Sequence, residues 1–232
     1  MEETHSVLLL LNFLNYAMII LPTISLTVVY SVVFAHWSSR TVTIPFFSDL
    51  DPVSPESRIS TAIMSVELII ITIIIYCRHS VMEILFKTEK RFEKRFKIVY
   101  FAMRILNYMQ LSGNLMVIVF NYGLNPIAHN IGMLLMYLGY AVYLFIYDIA
   151  LKALGKPSRD FSKIVSAILM VISPPFIFIR FVYPAHADMI IYSISSVLGL
   201  ITYVCLYLKL FICKFDLPEF GIRVTKKIPY SM

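Results

Sequence analysis

Six long apolar runs separated by short polar breaks cover most of the chain. A helix rising 1.5 Å per residue needs about 20 apolar residues to cross a hydrocarbon core about 30 Å thick. The runs at 7–35, 59–77, 98–120, 128–151, 161–183 and 189–212 have that scale. They predict an all-α, polytopic membrane protein, a six-helix transmembrane bundle formed as a single domain over 1–232. Pro22 lies in the first run and Pro174-Pro175 in the fifth. Neighbouring groups satisfy carbonyls freed by proline inside a bundle, so these positions predict kinks rather than breaks. The first run lacks the basic flank and small-residue cleavage site of a secretory signal and reads as a retained anchor.

The breaks set the orientation. Residues 78–97 hold seven lysines and arginines, 152–163 hold four, and the tail after Cys213 holds four more. The alternate breaks hold only Arg40, Arg58 and Arg180. Basic residues favour the cytosolic side, so both termini, the basic loop 78–97 and the tail 213–232 are predicted there. The loop 36–58 then faces the lumen or the exterior. At about 23 residues it cannot hide a soluble catalytic domain. Composition agrees: charged residues are 15% of the chain and mean hydropathy is +0.79, which suits lipid as the principal solvent.

Within the basic loop, Leu85, Phe92 and Phe96 would share one side of a helix. That spacing predicts an amphipathic interfacial helix, its rings in the acyl boundary and Lys87, Lys90, Arg91, Lys94, Arg95 and Lys97 among anionic headgroups. Each cation there is worth on the order of 1 kcal/mol. The competing reading is that these charges only enforce topology. Nucleic acid is excluded as a partner by the setting.

Polar residues inside the spans are costly and therefore informative. Glu67 lies within the second run. Asn107, Gln110, Asn114 and Asn121 follow helical spacing in the third, which predicts that they face the bundle interior. Two roles fit: interhelical hydrogen bonds at roughly 0.6 kcal/mol each, or the lining of a transport path. Arg104 can snorkel toward the near interface. Asp148 is expected to pair with Lys152 one turn on.

Catalytic and cofactor patterns such as His-Glu-x-x-His, a Gly-rich phosphate loop or Gly-x-Ser-x-Gly do not occur. His36, His129 and His186 with Asp49, Asp51 and Asp188 match no metal-ligand spacing. The reading is therefore a non-enzyme without cofactor or metal. Cys77, Cys205 and Cys213 fall at or near cytosolic helix ends and imply no disulfide framework. Cys213, beside Lys214, is a palmitoylation candidate, with a plain thiol as the alternative.

Pro45-Phe46-Phe47-Ser48-Asp49, then Pro55-Glu56-Ser57, then an apolar span ending in Tyr76-Cys77-Arg78-His79, resembles the damage-regulated autophagy modulator (DRAM) family, of Frag and Sfk type. Ser112-Gly113-Asn114-Leu115 running to Val119-Phe120-Asn121 is similar to that family's third helix. His129-Asn130-Ile131-Gly132, with Gly139 and Tyr143, is similar to its fourth. Arg58 stands where the family usually has cysteine, and Glu67 has no expected counterpart. The resemblance implies a non-enzymatic regulator or complex subunit of lysosomal, endosomal, plasma or Golgi membranes. Relatives modulate autophagy, phosphoinositide-kinase recruitment, lipid asymmetry or channel currents, and a distant branch serves GPI-anchor remodelling. Implied partners are membrane lipids, anionic phospholipid or sterol, and other membrane proteins. On the residues, Pro45, Ser48, Asp49, Pro55, Glu56, Arg78, Asn121, His129 and Gly132 are structural family positions. An accessory role in lipid remodelling, or a channel lined by Glu67 and the third helix, are the alternatives.

Overall fold

The computed structural model describes residues 2–35, 55–88, 93–155, 160–182 and 189–213. They form six helices: α1 (Glu2–Ala35), α2 (Pro55–Thr88), α3 (Glu93–Val119), α4 (Pro126–Ala153), α5 (Asp160–Val182) and α6 (Met189–Ile212). Each packs against the next in chain order, and α1 returns to α6, so the helices close a ring. α4 also touches α6 across it and is the most enclosed of the apolar helices. The α2–α3 and α4–α5 connections and the end of α6 share one end of the bundle, hereafter the basic end.

Local chemistry fixes several boundaries. Pro55 opens α2, where a missing N–H costs nothing. Asn125 caps α4, its Oδ1 accepting from Ala128 N at 3.1 Å, with Pro126 following. Gly155, at φ +64°, lets the chain leave α4 through the left-handed region. Pro22 and Pro174-Pro175 are carried inside continuous helices.

Five helices are long and apolar enough to cross a membrane: α1, α2, α4, α5 and α6. Arg104 and the polar run Asn107, Gln110 and Asn114 dilute α3. It nevertheless lies along α4 at very close range. A Cβ added at Gly113 would sit 2.4 Å from Met136 N, and one at Gly132 would sit 2.8 Å from Met116 Cβ. Small residues allow such approach where lipid gives helices no hydrophobic reason to associate. Large apolar side chains, Ile69, Phe101, Ile127, Val171 and Phe178 among them, point outward, as a lipid-solvated surface requires.

The basic segment differs from expectation. α2 continues about three turns past Cys77, because Met82, Leu85 and Phe86 form a buried stripe and no Gly or Pro interrupts it. Leu85 therefore belongs to the core of α2, while Phe96 belongs to α3. Phe92, the remaining member of the expected stripe, lies outside the described residues.

Candidate functional site: a tyrosine cage and two closed ends

Glu67 sits at the middle of the bundle, 1% exposed. Its carboxylate accepts from Tyr207 O–H at 2.5 Å and from Tyr203 O–H at 3.1 and 3.2 Å. These tyrosines are one turn apart on α6, with ring centroids separated by 4.6 Å. From α4, Tyr137 and Tyr140 come within electrostatic reach of the same carboxylate. Tyr140 in turn accepts from Asn114 Nδ2 at 2.8 Å, and Gln110 donates to Asn107 at 2.6 Å. Glu67 and the polar face of α3 thus belong to one central cluster, joined through α4. The four tyrosines were not singled out by sequence reasoning. The available signal was Tyr137, Tyr140, Tyr143 and Tyr147 at steps of three and four, with Tyr203 and Tyr207 at a step of four, in otherwise aliphatic helices.

Outside the cage, α1 and α6 leave a groove of about 140 Å³. Pro22, Thr23 and Leu26 form one wall and Tyr203, Val204 and Tyr207 the other. Thr23 turns its hydroxyl to Ile19 O at 2.7 Å. With the two phenols directed at Glu67, the groove lining is apolar.

The basic end is closed by charge. Lys209, fully buried on α6, donates to both Asp148 oxygens at 2.7 and 2.8 Å, to Ser162 O at 3.2 Å and to Ser162 Oγ. Ser166 donates to Asp148 at 2.6 Å. This corrects the expected Asp148–Lys152 pair: Lys152 is exposed, and the preferred partner comes from a distant helix. One residue on, Leu210 O accepts from Arg78, which also reaches Asn15 Oδ1 at 3.4 Å. Consecutive residues of α6 therefore tie α4 and α5 on one side and α1 and α2 on the other. Arg78 is a buried clasp rather than a solvated loop charge.

The opposite end is closed without ion pairs among the described residues. Phe120 O accepts from His129 at 2.7 Å, which places the ring proton on Nδ1. Asn121 donates to Ser57 Oγ at 3.3 Å and accepts from Gly123 N at 2.9 Å. Asn130 donates to Arg180 O at 3.2 Å, and the Arg180 guanidinium lies 5.0 Å from the Tyr192 ring centroid. Ser57, Ser60, Asn121 and His129 share a small cavity of about 20 Å³, room for roughly one water.

Other expected positions scatter. Lys87 and Lys97 are exposed, and Lys87 pairs with Glu83 at 2.6 Å. Lys90, Arg91, Pro45, Ser48, Asp49, Asp51, His36, His186 and Asp188 lie outside the described residues, as do the side chains of Lys94, Arg95, Pro55 and Glu56. Cys213 is 2% exposed at the end of α6. Acylation there would require that end to open. Gly132 is the close-contact glycine described above.

No curated protein and no solved structure matches the chain significantly. The Frag1/DRAM/Sfk1/Cwh43P N-terminal domain matches residues 10–220. That span runs from the first helix to beyond the last, taking in the tyrosine cage and both closed ends. The chain is an integral membrane protein belonging to the Frag1/DRAM/Sfk1/Cwh43P N-terminal domain family.

Proposed function

We propose that the protein is a non-enzymatic membrane regulator or scaffold that binds lipid and partner membrane proteins, with its basic end in the cytosol. The observation carrying this reading is how the buried polar side chains are used. Glu67, Arg78, Asn114, Asp148 and Lys209 all hydrogen-bond across helix boundaries. Groups committed to such ties hold a bundle together and leave its outer surface for recognition. The same observation weighs against a channel lined by Glu67 and α3, whose polar groups would have to face water.

Lipid binding is supported by cations at the α2–α3 corner, where exposed Lys87 and Lys97 bracket Lys90, Arg91, Lys94 and Arg95 in sequence. Replacing those four inner cations with glutamine is expected to reduce flotation with vesicles containing phosphatidylserine. Unchanged flotation would overturn the lipid part. Affinity purification from native membranes tests the scaffold part, with co-purifying membrane proteins expected and an isolated chain counting against it.

A second reading, an accessory role in lipid or GPI-anchor remodelling, draws on the cavity shared by Ser57, Ser60 and His129. In deficient cells, H129A would then fail to restore anchored proteins to the surface. Full restoration would remove that reading.

A further inference from the structure

We propose that Glu67 is a proton-binding site, its carboxyl taking up and releasing one proton inside the tyrosine cage. The inference goes beyond the proposed function and does not depend on lipid binding. It starts from a difference between two buried acids. Asp148 is paired with the Lys209 ammonium and accepts from Ser166, so a cation fixes its charge. Glu67, no less buried, has phenols where Asp148 has a cation.

Among the described residues, no element packed around Glu67 supplies it with a cation, and it forms no ion pair. Along α2 no other charged residue lies between Arg58 and Arg78. α6 presents Tyr203 and Tyr207, and α4 presents Tyr137 and Tyr140. Beside the α6 pair, α1 contributes the uncharged Pro22 and Thr23. Behind Tyr140, α3 contributes the amide of Asn114, which also bonds to Gln110 O. Arg180 of α5 stands beyond Tyr137, within electrostatic reach of that phenol, with its guanidinium carbon 5.0 Å from the Tyr192 ring centroid. Glu67 itself is twelve residues past Pro55, about 18 Å along the helix.

An ionised carboxylate enclosed without a cation is costly enough that the group takes a neutralising partner instead. A metal ion would need several oxygen ligands around it. A proton needs only an acceptor for the new O–H, and Tyr137 supplies one. That residue is 1% exposed, and its hydroxyl has no hydrogen-bond partner among the described residues. A phenol both donates and accepts. Tyr203 and Tyr207 therefore satisfy the ionised form, and Tyr137 accepts from the protonated one. Proton uptake thus moves a Glu67 bond from α6 to α4. A lysine in place of the phenols would serve the ionised form alone, as Lys209 does for Asp148.

The test is infrared difference spectroscopy of the full chain in phosphatidylcholine nanodiscs, titrated from about pH 4 to about pH 9, the range that glutamates cover in proteins. One water-shielded carboxyl C=O band is expected to fade reversibly as pH rises, and to be missing from E67Q. Y207F takes a donor from the ionised form and should move the midpoint up by about 1–2 pH units. Y137F takes the acceptor from the protonated form and should move it down, by up to about one unit. A purely structural cage would not give shifts of opposite sign. Raising sodium at fixed pH should leave the band unchanged. Circular dichroism and elution volume report whether each variant folds; if E67Q does not, the wild-type band and the two opposed shifts decide. Absence of the band from the wild-type chain, a band retained by folded E67Q, midpoint shifts of one sign, or a band removed by sodium would each overturn the site.

Discussion

Among the described residues, the two ends of the bundle are tied by different kinds of hydrogen bond. At the basic end, Lys209 and Asp148 meet at 2.7 Å with almost no water access, and Arg78 reaches a carbonyl of the same helix. At the other end, His129, Asn121 and Asn130 tie neighbouring elements by neutral hydrogen bonds. Paired charges held away from water are costly to desolvate and costly to separate. A neutral hydrogen bond adds only about 1 kcal/mol net, and losing one strands no charge. The contrast predicts a clasp that opens all or none at the basic end and a seam that loosens gradually at the other.

The strongest way to break the contrast is to remove one member of the charged pair. K209M strands the Asp148 carboxylate, and D148L strands the ammonium. Each is expected to destabilise the bundle by about 3–5 kcal/mol, the cost of an uncompensated buried charge. Thermal unfolding in detergent should show both losses. The double variant should recover most of the stability, since no lone charge remains. Single variants as stable as the parent would show that water already enters the clasp.

Between the ends, α3 and α4 hold each other through backbone contact. G113A would place a methyl within 2.4 Å of Met136 N and 2.6 Å of Gly132 O, neither of which can swing away. The helices must part, at about 1–3 kcal/mol. The Asn114–Tyr140 bond should weaken with them, so G113A and N114L should be less than additive. Full additivity would separate the glycine contact from the polar cluster.

Legibility from sequence followed the range of the interactions involved. Each of the six apolar runs lies in a helix, because the length of an apolar run is a local property, although only five of those helices are long and apolar enough to cross a membrane. α2 goes beyond its run: its extension past Cys77 depends on Met82, Leu85 and Phe86 finding a core, which hydropathy of the run does not report. Pairing was harder. The local partner for Asp148, Lys152, was the wrong one, since Lys209 is 61 residues away in sequence and reaches it only through the α4–α6 crossing. Glu67 stood out by its charge, while the tyrosines around it, being common in membrane helices, did not. Arg78 looked like one more cytosolic cation, and only its burial beside Asn15 and Leu210 distinguishes it.

The tyrosine cage tests whether the middle behaves like either end. Y207F removes the 2.5 Å bond to Glu67 and leaves Tyr203 as donor. The expected loss is about 1.5–3 kcal/mol, as for a hydrogen bond to a charged acceptor. In Y203F/Y207F the carboxylate loses both donors, and the combined loss should exceed the sum of the singles. A merely additive double variant would mean that Glu67 finds another donor, with Tyr137, whose buried hydroxyl has no hydrogen-bond partner among the described residues, and Tyr140 as the candidates.

The smallest effect is expected at the neutral end. N121L deletes the 3.3 Å bond to Ser57 and the acceptor for Gly123 N, both partly open to solvent. Water can replace either partner there, so the loss should stay near 0.6 kcal/mol, as for an average membrane hydrogen bond. Hydrogen exchange should confine the change to residues near 121–125 and leave amides around Lys209 untouched. Exchange that spread to the basic end would mean the two closures are coupled through α4, and the contrast between clasp and seam would have to be given up.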